Sequence, residues 1–214
     1  MPTTKPTLTI RYATPADSDR LTDFRISQFK TAKEFELIIP ELLSMQSGYI
    51  FLVEQNEFIV STMQLNIVTN SDYFRRLSLS GEKIAEKITT SFLPSMYLSK
   101  AATIKELRNS GLNSYLRMLS LNNAILTKIN SLTGVAFENA PRLHLLEKLG
   151  YSFTEIEMAS TDYVIPKGKS FFLQLASEFF FSATKILESE IAELKEQFTI
   201  INLTESTWLP SYLP

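Results

Sequence analysis

The stretch that most constrains this chain runs from residue 94 to 129: "PSMYLSKAAT", then "IKELRNSG", then "LNSYLRMLSLNNAILTKI". The first piece reads as a strand. The last carries apolar residues at helical spacing through Ile129, and Gly111 sits at the handover. A helix start leaves its first N–H groups without intrahelical acceptors and carries partial positive charge, so a strand–loop–helix of this kind can meet an anion there. Glycine has no Cβ to block the approach and accepts backbone angles that other residues avoid. Arg108, three residues earlier, adds a fork of donors suited to phosphate oxygens. On this reading a branched residue at 111 blocks the anion and leaves the fold largely intact. The same residues also suit an ordinary strand–helix loop with a solvated arginine.

The flanking sequence decides what architecture holds that unit. "LTIRYA", residues 8–13, alternates like a strand, and "TPAD" follows with Thr14 as N-cap and Pro15 at the first helical position. Apolar positions carry that helix to Phe29, and a second helix is expected over 33–46 with a break at Pro40. "YIFLVEQ" and "EFIVSTMQLNIV" read as a hairpin around Asn56 and Glu57. Residues 70–91 are polar and partly helical, an insertion ahead of the strand at 95–103. After the long helix come "TGVAFEN" as a strand, "APRLHLLEKLG" as a short helix closed by Gly150, and the strands "YSFTEIEMA" and "KSFFLQLA". A helix over 177–198 and the tail "TWLPSYLP" finish the chain. Hairpins at both ends with helices between them predict an α+β (mixed α/β) fold rather than a doubly wound parallel sheet.

Composition narrows the chemistry. A chain of 214 residues with 44% hydrophobic residues can fill one core, so a single domain over 1–176 is expected, with 177–214 packed on it. With a net charge of −2 and no long basic run, nucleic acid is not an expected partner. Zero cysteines exclude disulfides, thiolate metal ligands and an acyl-cysteine intermediate. The opening "MPTTKPTLTI" has no apolar signal core, and Gln174, Glu178 and Lys185 interrupt the most apolar stretch, so a cytoplasmic protein without a membrane span is expected. His144 is the sole histidine and lies in no cluster of ligand spacing, so no metal is expected. No Gly-x-Ser-x-Gly elbow is present. Phe180, Ala183, Leu187, Ile191, Leu194 and Phe198 form one helical stripe, which packs on the chain's own core or forms a homodimer contact.

"RNSGLN" at 108–113 and "NAPRLHLLEKLGY" at 139–151 together resemble the two signatures of the GNAT superfamily of N-acyltransferases. Arg108 and Gly111 match its phosphate loop, and Asn113 departs from the small residue that ends it. Asn139, Glu147, Lys148, Leu149, Gly150 and Tyr151 match the second signature. The resemblance covers roughly residues 8–176 and implies a GNAT-like twisted mixed sheet flanked by helices, here with a C-terminal helical extension. It implies acetyl-CoA or another acyl-CoA as co-substrate and a small-molecule or peptide amine as acceptor. The backbone of Ala101, Ala102 and Thr103 would hold the pantetheine arm, on strands expected to splay after Thr103, where a backbone N–H could also serve the oxyanion. Arg108, Asn109, Ser110, Gly111, Leu112 and Asn113 would hold the pyrophosphate, and Asn139 would reach the pantetheine or the thioester.

The family commonly places a tyrosine ahead of the Glu-Lys-Leu-Gly run to protonate the leaving thiolate, and this chain has Leu146 there. Tyr97, Tyr115 and Tyr151 are the tyrosines nearby in that frame, with Tyr97 carried forward as candidate acid; the alternatives are solvent as acid, or, on the departures at Asn113 and Leu146, a catalytically impaired acyl-CoA-binding module. Glu138, at the end of a strand and beside Asn139, is the candidate base, or else a solvated strand-end carboxylate. The insertion followed by "YLSKAAT" and "RNSG" is also similar to N-acyl amino acid synthases and autoinducer synthases, which take long acyl chains from acyl carrier protein. That resemblance would make Tyr73, Phe74, Leu77, Leu79, Ile84 and Ile88 an acyl lining and turn Arg75 and Arg76 towards the carrier, although Tyr97 stands where those enzymes often have glutamate.

Overall fold

The computed structural model describes residues 5–29, 48–75, 81–88, 90–157 and 168–204. The expected helix at 33–46, Arg76, Leu77, Leu79 and the tail "TWLPSYLP" lie outside them. The strands are β1 (Thr7–Tyr12), β2 (Gly48–Gln55), β3 (Phe58–Val68), β4 (Ser95–Thr103), β5 (Ser131–Phe137), β6 (Ser152–Ile156), β7 (Ser170–Ala176) and β8 (Thr199–Asn202). The helices among the described residues are α1 (Ser18–Phe29), α2 (Asp72–Arg75), α3 (Gly81–Lys87), α4 (Leu112–Leu126), α5 (Leu143–Lys148), α6 (Phe180–Glu190) and α7 (Ala192–Gln197). The strands form one mixed sheet in the order β6-β7-β5-β4-β3-β2-β1-β8. β4 runs parallel to β5 and β1 to β8, while the β1–β2, β5–β7 and β6–β7 pairs are antiparallel. The α+β expectation holds.

The chain clusters into two compact units that interleave in sequence: one drawn from Met1–Leu65, Lys100–Leu119 and Leu187–Pro214, the other from Asn66–Ser99 and Ser120–Ile186. In the first unit the helix start at Thr14 and the hairpin at Asn56 and Glu57 are as read from sequence. Thr14 caps a 3₁₀ turn, Pro15–Asp17, that leads into α1. The Asp17 carboxylate accepts from the Thr14 N–H at 2.8 Å and hydroxyl at 2.9 Å, an acidic version of the reciprocal cap. It also takes both terminal nitrogens of Arg11 at 2.7 Å, and Arg11 Nε reaches Glu54 at 2.9 Å. The bonds from Arg11, with help from Thr14, hold this nearly buried carboxyl well below the ordinary carboxylate range. β2 is buried over Ile50–Val53 on both faces, which is why its sequence is a continuous apolar run instead of an alternating one. Asn56 and Glu57 both have positive φ, 51° and 68°, the geometry of a tight two-residue hairpin turn.

The C-terminal segment departs from expectation. The single helix expected over 177–198 breaks at Ile191 into α6 and α7, and the residues after Phe198 form β8, paired with β1 from Thr7↔Thr199 to Ile10↔Asn202. The apolar stripe is nonetheless as read: Ala183, Leu187, Ile191 and Leu194 are fully buried, and Phe180 and Phe198 nearly so. Packing within the chain therefore accounts for the stripe.

In the second unit the 70–91 insertion supplies α2 and α3, whose Phe74, Ile84 and Ile88 join Val68, Tyr97, Ile156 and Phe172 in one buried cluster. Its polar surface pairs locally: Arg75 contacts Asp72 and Glu82. α5 ends as expected at Gly150, with φ +93°. Tyr151 N–H reaches the Leu146 carbonyl at 3.1 Å and Gly150 N–H the Glu147 carbonyl at 2.9 Å, the paired bonds of a Schellman closure. No helix among the described residues is long and apolar enough to cross a membrane.

Candidate acyl-donor site

The β4–β5 ladder ends at Leu98↔Gly134, well before Thr103, where splaying was expected. β4 then continues without that partner ladder. Lys100, just beyond, has φ +48°, a left-handed conformation that a side chain adopts at a cost. Asn109 follows at φ +65° and Gly111 at φ +88°. The passage from β4 to α4 thus holds two non-glycine residues and one glycine in the left-handed region. Strain of this kind persists only where the surroundings over-determine it.

In the first unit those surroundings are visible. Ser61 Oγ donates to the Ala102 carbonyl at 2.9 Å and lies 2.9 Å from Thr103 Oγ1, and Ile104 N–H reaches the Val60 carbonyl at 2.9 Å. This fixes Ala101–Thr103 against β3; Ala101 itself is exposed. Arg108 folds back to donate Nε–H to the Thr103 carbonyl at 3.2 Å, with a long contact from Nη2 to Gln28 at 3.5 Å, and its guanidinium stays exposed. Ser110 Oγ caps the Leu107 carbonyl at 2.7 Å. The Gly111 carbonyl accepts from Tyr115 N–H at 2.9 Å, so Leu112, Asn113 and Ser114 form the first turn of α4, where an α-helix has no internal acceptors for its N–H groups. Ala101 to Asn113 are thus brought into one compact arrangement, with an exposed guanidinium and a helix start adjoining in sequence.

Gly111 itself has a different reason from the one read in sequence. A Cβ built there would lie 2.9 Å from the Glu190 carbonyl oxygen, 3.6 Å from Ile191 Cα and 3.6 Å from Leu194 Cβ. The missing side chain makes room for the α6–α7 turn, and together with φ +88° this means that a branched residue at 111 disturbs the fold. No local pattern marks this contact, nor that of Ser61, because both neighbours are remote along the chain.

The remaining predicted residues belong to the second unit. Glu138 is exposed at the end of β5. Its N–H donates to the Lys169 carbonyl at 2.8 Å, and its Oε2 accepts from the Lys169 N–H at 3.1 Å. Gly168, at φ +121°, leaves space for it: a Cβ there would come within 2.8 Å of Oε2. The carboxylate is seated on backbone, with Oε1 turned to no described protein donor. Asn139 follows it and is exposed. Tyr97 is buried, edge-on to Tyr73 with ring centroids 5.5 Å apart. Tyr73 in turn accepts from Asn66 Nδ2 at 3.1 Å, and burial raises its phenol pKa. Leu146, in the slot discussed above, is buried, while His144 is exposed. Among the described residues no group of three or more potential ligands is placed to hold a metal ion.

No family model matches the sequence, and no curated protein matches it. Solved structures do. FeeM, an N-acyl amino acid synthase from uncultured soil microbes, superposes with a TM-score of 0.60 at 16% identity, covering 86% of this chain and 98% of its own. The CoA-dependent acyl-homoserine lactone synthase BjaI gives 0.56 at 10% identity over 91% and 93%. A GNAT-family acetyltransferase from Streptococcus pneumoniae gives 0.53 at 18% identity over 79% and 98%. At these identities the likeness shows the fold alone, one that this chain shares with the two synthases and with the GNAT-family acetyltransferase.

Proposed function

We propose that the chain is an N-acyltransferase that moves an acyl group, acetyl first, from a coenzyme A thioester to a primary amine by direct attack. One observation carries this reading: the strained Lys100–Gly111 passage ends at the start of α4 with the exposed Arg108 guanidinium beside it. That arrangement suits a pyrophosphate. Backbone along Ala101–Thr103 would pair with the amide-rich pantetheine arm. Glu138 would take the proton that the amine nitrogen gives up as the N–C bond forms and the C–S bond breaks. Asn139 would hold the arm near the thioester. The departing thiolate is stable near neutral pH, so Tyr97 or water suffices as its proton source. Calorimetric titration with acetyl-CoA, followed by turnover on a panel of amines, tests this: binding with turnover supports it, and absence of binding removes it. Glu138→Gln should bind acetyl-CoA normally and turn over on the order of 10²-fold more slowly.

A second reading, long-chain transfer from acyl carrier protein to an amino acid, draws on the likeness to FeeM, an N-acyl amino acid synthase, over 86% of this chain. Against it, Phe74, Ile84 and Ile88 are already consumed in packing with Tyr97 and Phe172, and Arg75 is paired with Asp72 and Glu82. Competition among acetyl, butyryl, octanoyl and dodecanoyl thioesters separates the two, since each buried methylene adds about 0.8 kcal/mol. Affinity that stays flat with length leaves acetyl transfer.

A further inference from the structure

We infer that the α6–α7 turn and its anchor at β8 position the pyrophosphate loop, with Ile191 and Leu194 as positioning residues; this rests on the acyl-CoA reading above. Gly111 holds φ +88° with the Glu190 carbonyl, Ile191 Cα and Leu194 Cβ filling the space where its side chain would stand. The back of the loop is therefore shaped by the turn, while the front carries the bonds of Ser110 to Leu107 and of Arg108 to Thr103, with a long contact from Arg108 to Gln28. The turn is firmly placed. Leu187, Ile191 and Leu194 are fully buried, Ile191 N–H bonds the Leu187 carbonyl at 3.1 Å, and Phe198 N–H bonds the Leu194 carbonyl at 2.9 Å. Beyond it, Thr199 N–H bonds the Pro6 carbonyl at 3.0 Å and Leu203 N–H the Ile10 carbonyl at 2.8 Å, so β8 locks the segment to β1.

A continuous strap thus runs from the N-terminal strand to the back of Gly111. Because the Gly111 carbonyl starts the hydrogen-bond ladder of α4 through Tyr115, the strap also sets where the first N–H groups of α4 point. Loosening it lets the loop relax from its left-handed backbone, and those donors lose their aim at a pyrophosphate. The arm-binding backbone at Ala101–Thr103 is held separately, by Ser61 and Val60.

The two supports predict a split. Leu194→Ala should weaken coenzyme A binding on the order of ten- to a hundred-fold, the scale of a small misplacement at a positioned site. Pantetheine, which lacks the pyrophosphate, should be bound as before, within about two-fold. Leu194→Met should restore coenzyme A affinity, and Leu52→Ala, equally buried in β2, should leave it within about two-fold. Equal losses for the two ligands, or an unchanged coenzyme A affinity in Leu194→Ala, overturns the inference while the acyl-CoA reading stands. Wild-type protein that binds no coenzyme A ends both. Should Leu194→Ala not fold, hydrogen exchange on the wild type decides: coenzyme A should increase protection at residues 190–195 as well as at Tyr115, and protection confined to 108–115 overturns the strap.

Discussion

Arg11 and Arg108 sit in the same compact unit and do opposite things with the same side chain. Arg11 spends its donors on Asp17 and Glu54, three of its bonds at 2.9 Å or less, in a corner that also takes in Arg20. Arg108 spends one N–H on the Thr103 carbonyl and makes one long contact to Gln28, and the residue is exposed. A saturated guanidinium is part of the architecture. An unsaturated one at a helix start has donors left over, which is what the proposed pyrophosphate contact requires.

The largest expected effect lies on the saturated side. Arg11→Ala leaves the Asp17 carboxylate nearly buried without its main partner, and removing one member of such a pair costs about 3 to 5 kcal/mol of stability; coenzyme A affinity should not change. Chemical denaturation with a parallel titration measures both, and a loss of affinity comparable to that of Arg108→Ala would erase the distinction. The same corner has a pH signature. The Asp17 carboxyl is held below the ordinary range, so its contribution is complete above the unfolded-state value of about 3.9 and is lost as pH falls below it. Asp17→Asn should lower stability at neutral pH and flatten the acid limb of the stability curve.

Gly111→Val comes next, at about 3 kcal/mol of stability, from the left-handed backbone together with the collision at the Glu190 carbonyl. A variant with wild-type melting behaviour and lost coenzyme A affinity would return the glycine to the ligand side. Arg108→Ala should be smallest in stability and clearest in binding: coenzyme A loses about 1.5 to 3 kcal/mol, the worth of a charged hydrogen bond, and pantetheine loses less. Equal losses would make Arg108 a second Arg11.

What could be read from sequence follows how far each determinant lies along the chain. Thr14, Pro15 and Asp17 announce a helix start within a few residues of one another, and Gly150 announces the end of α5. α4 closes by the same paired bonds, Ile129 to Ala124 and Lys128 to Ile125, but with Lys128 at φ +54° in the glycine's place, so no sequence signal marked it. β8 was missed because four residues, "TIIN", follow a helical stripe without a break and become a strand only by meeting β1. The loop at 108–113 reads as a phosphate-binding pattern in sequence, yet the space its glycine leaves is taken up by a helix turn far down the chain. Tyr97 shows the same limit in the second unit: nothing near it in sequence marks the packed aromatic cluster that surrounds it.

β8 also bears on how this protein behaves at concentration. Without it β1 would end the sheet, offering the backbone donors and acceptors of a six-residue strand to any similar segment. With it, the edge belongs to a strand of four residues that ends in asparagine, and a short edge is a poor template for pairing between chains. Removing the segment after Gln197 would therefore do more than unseat a helix turn: it would uncover a sticky seam, and colloidal stability would fall before enzymatic competence was even at issue.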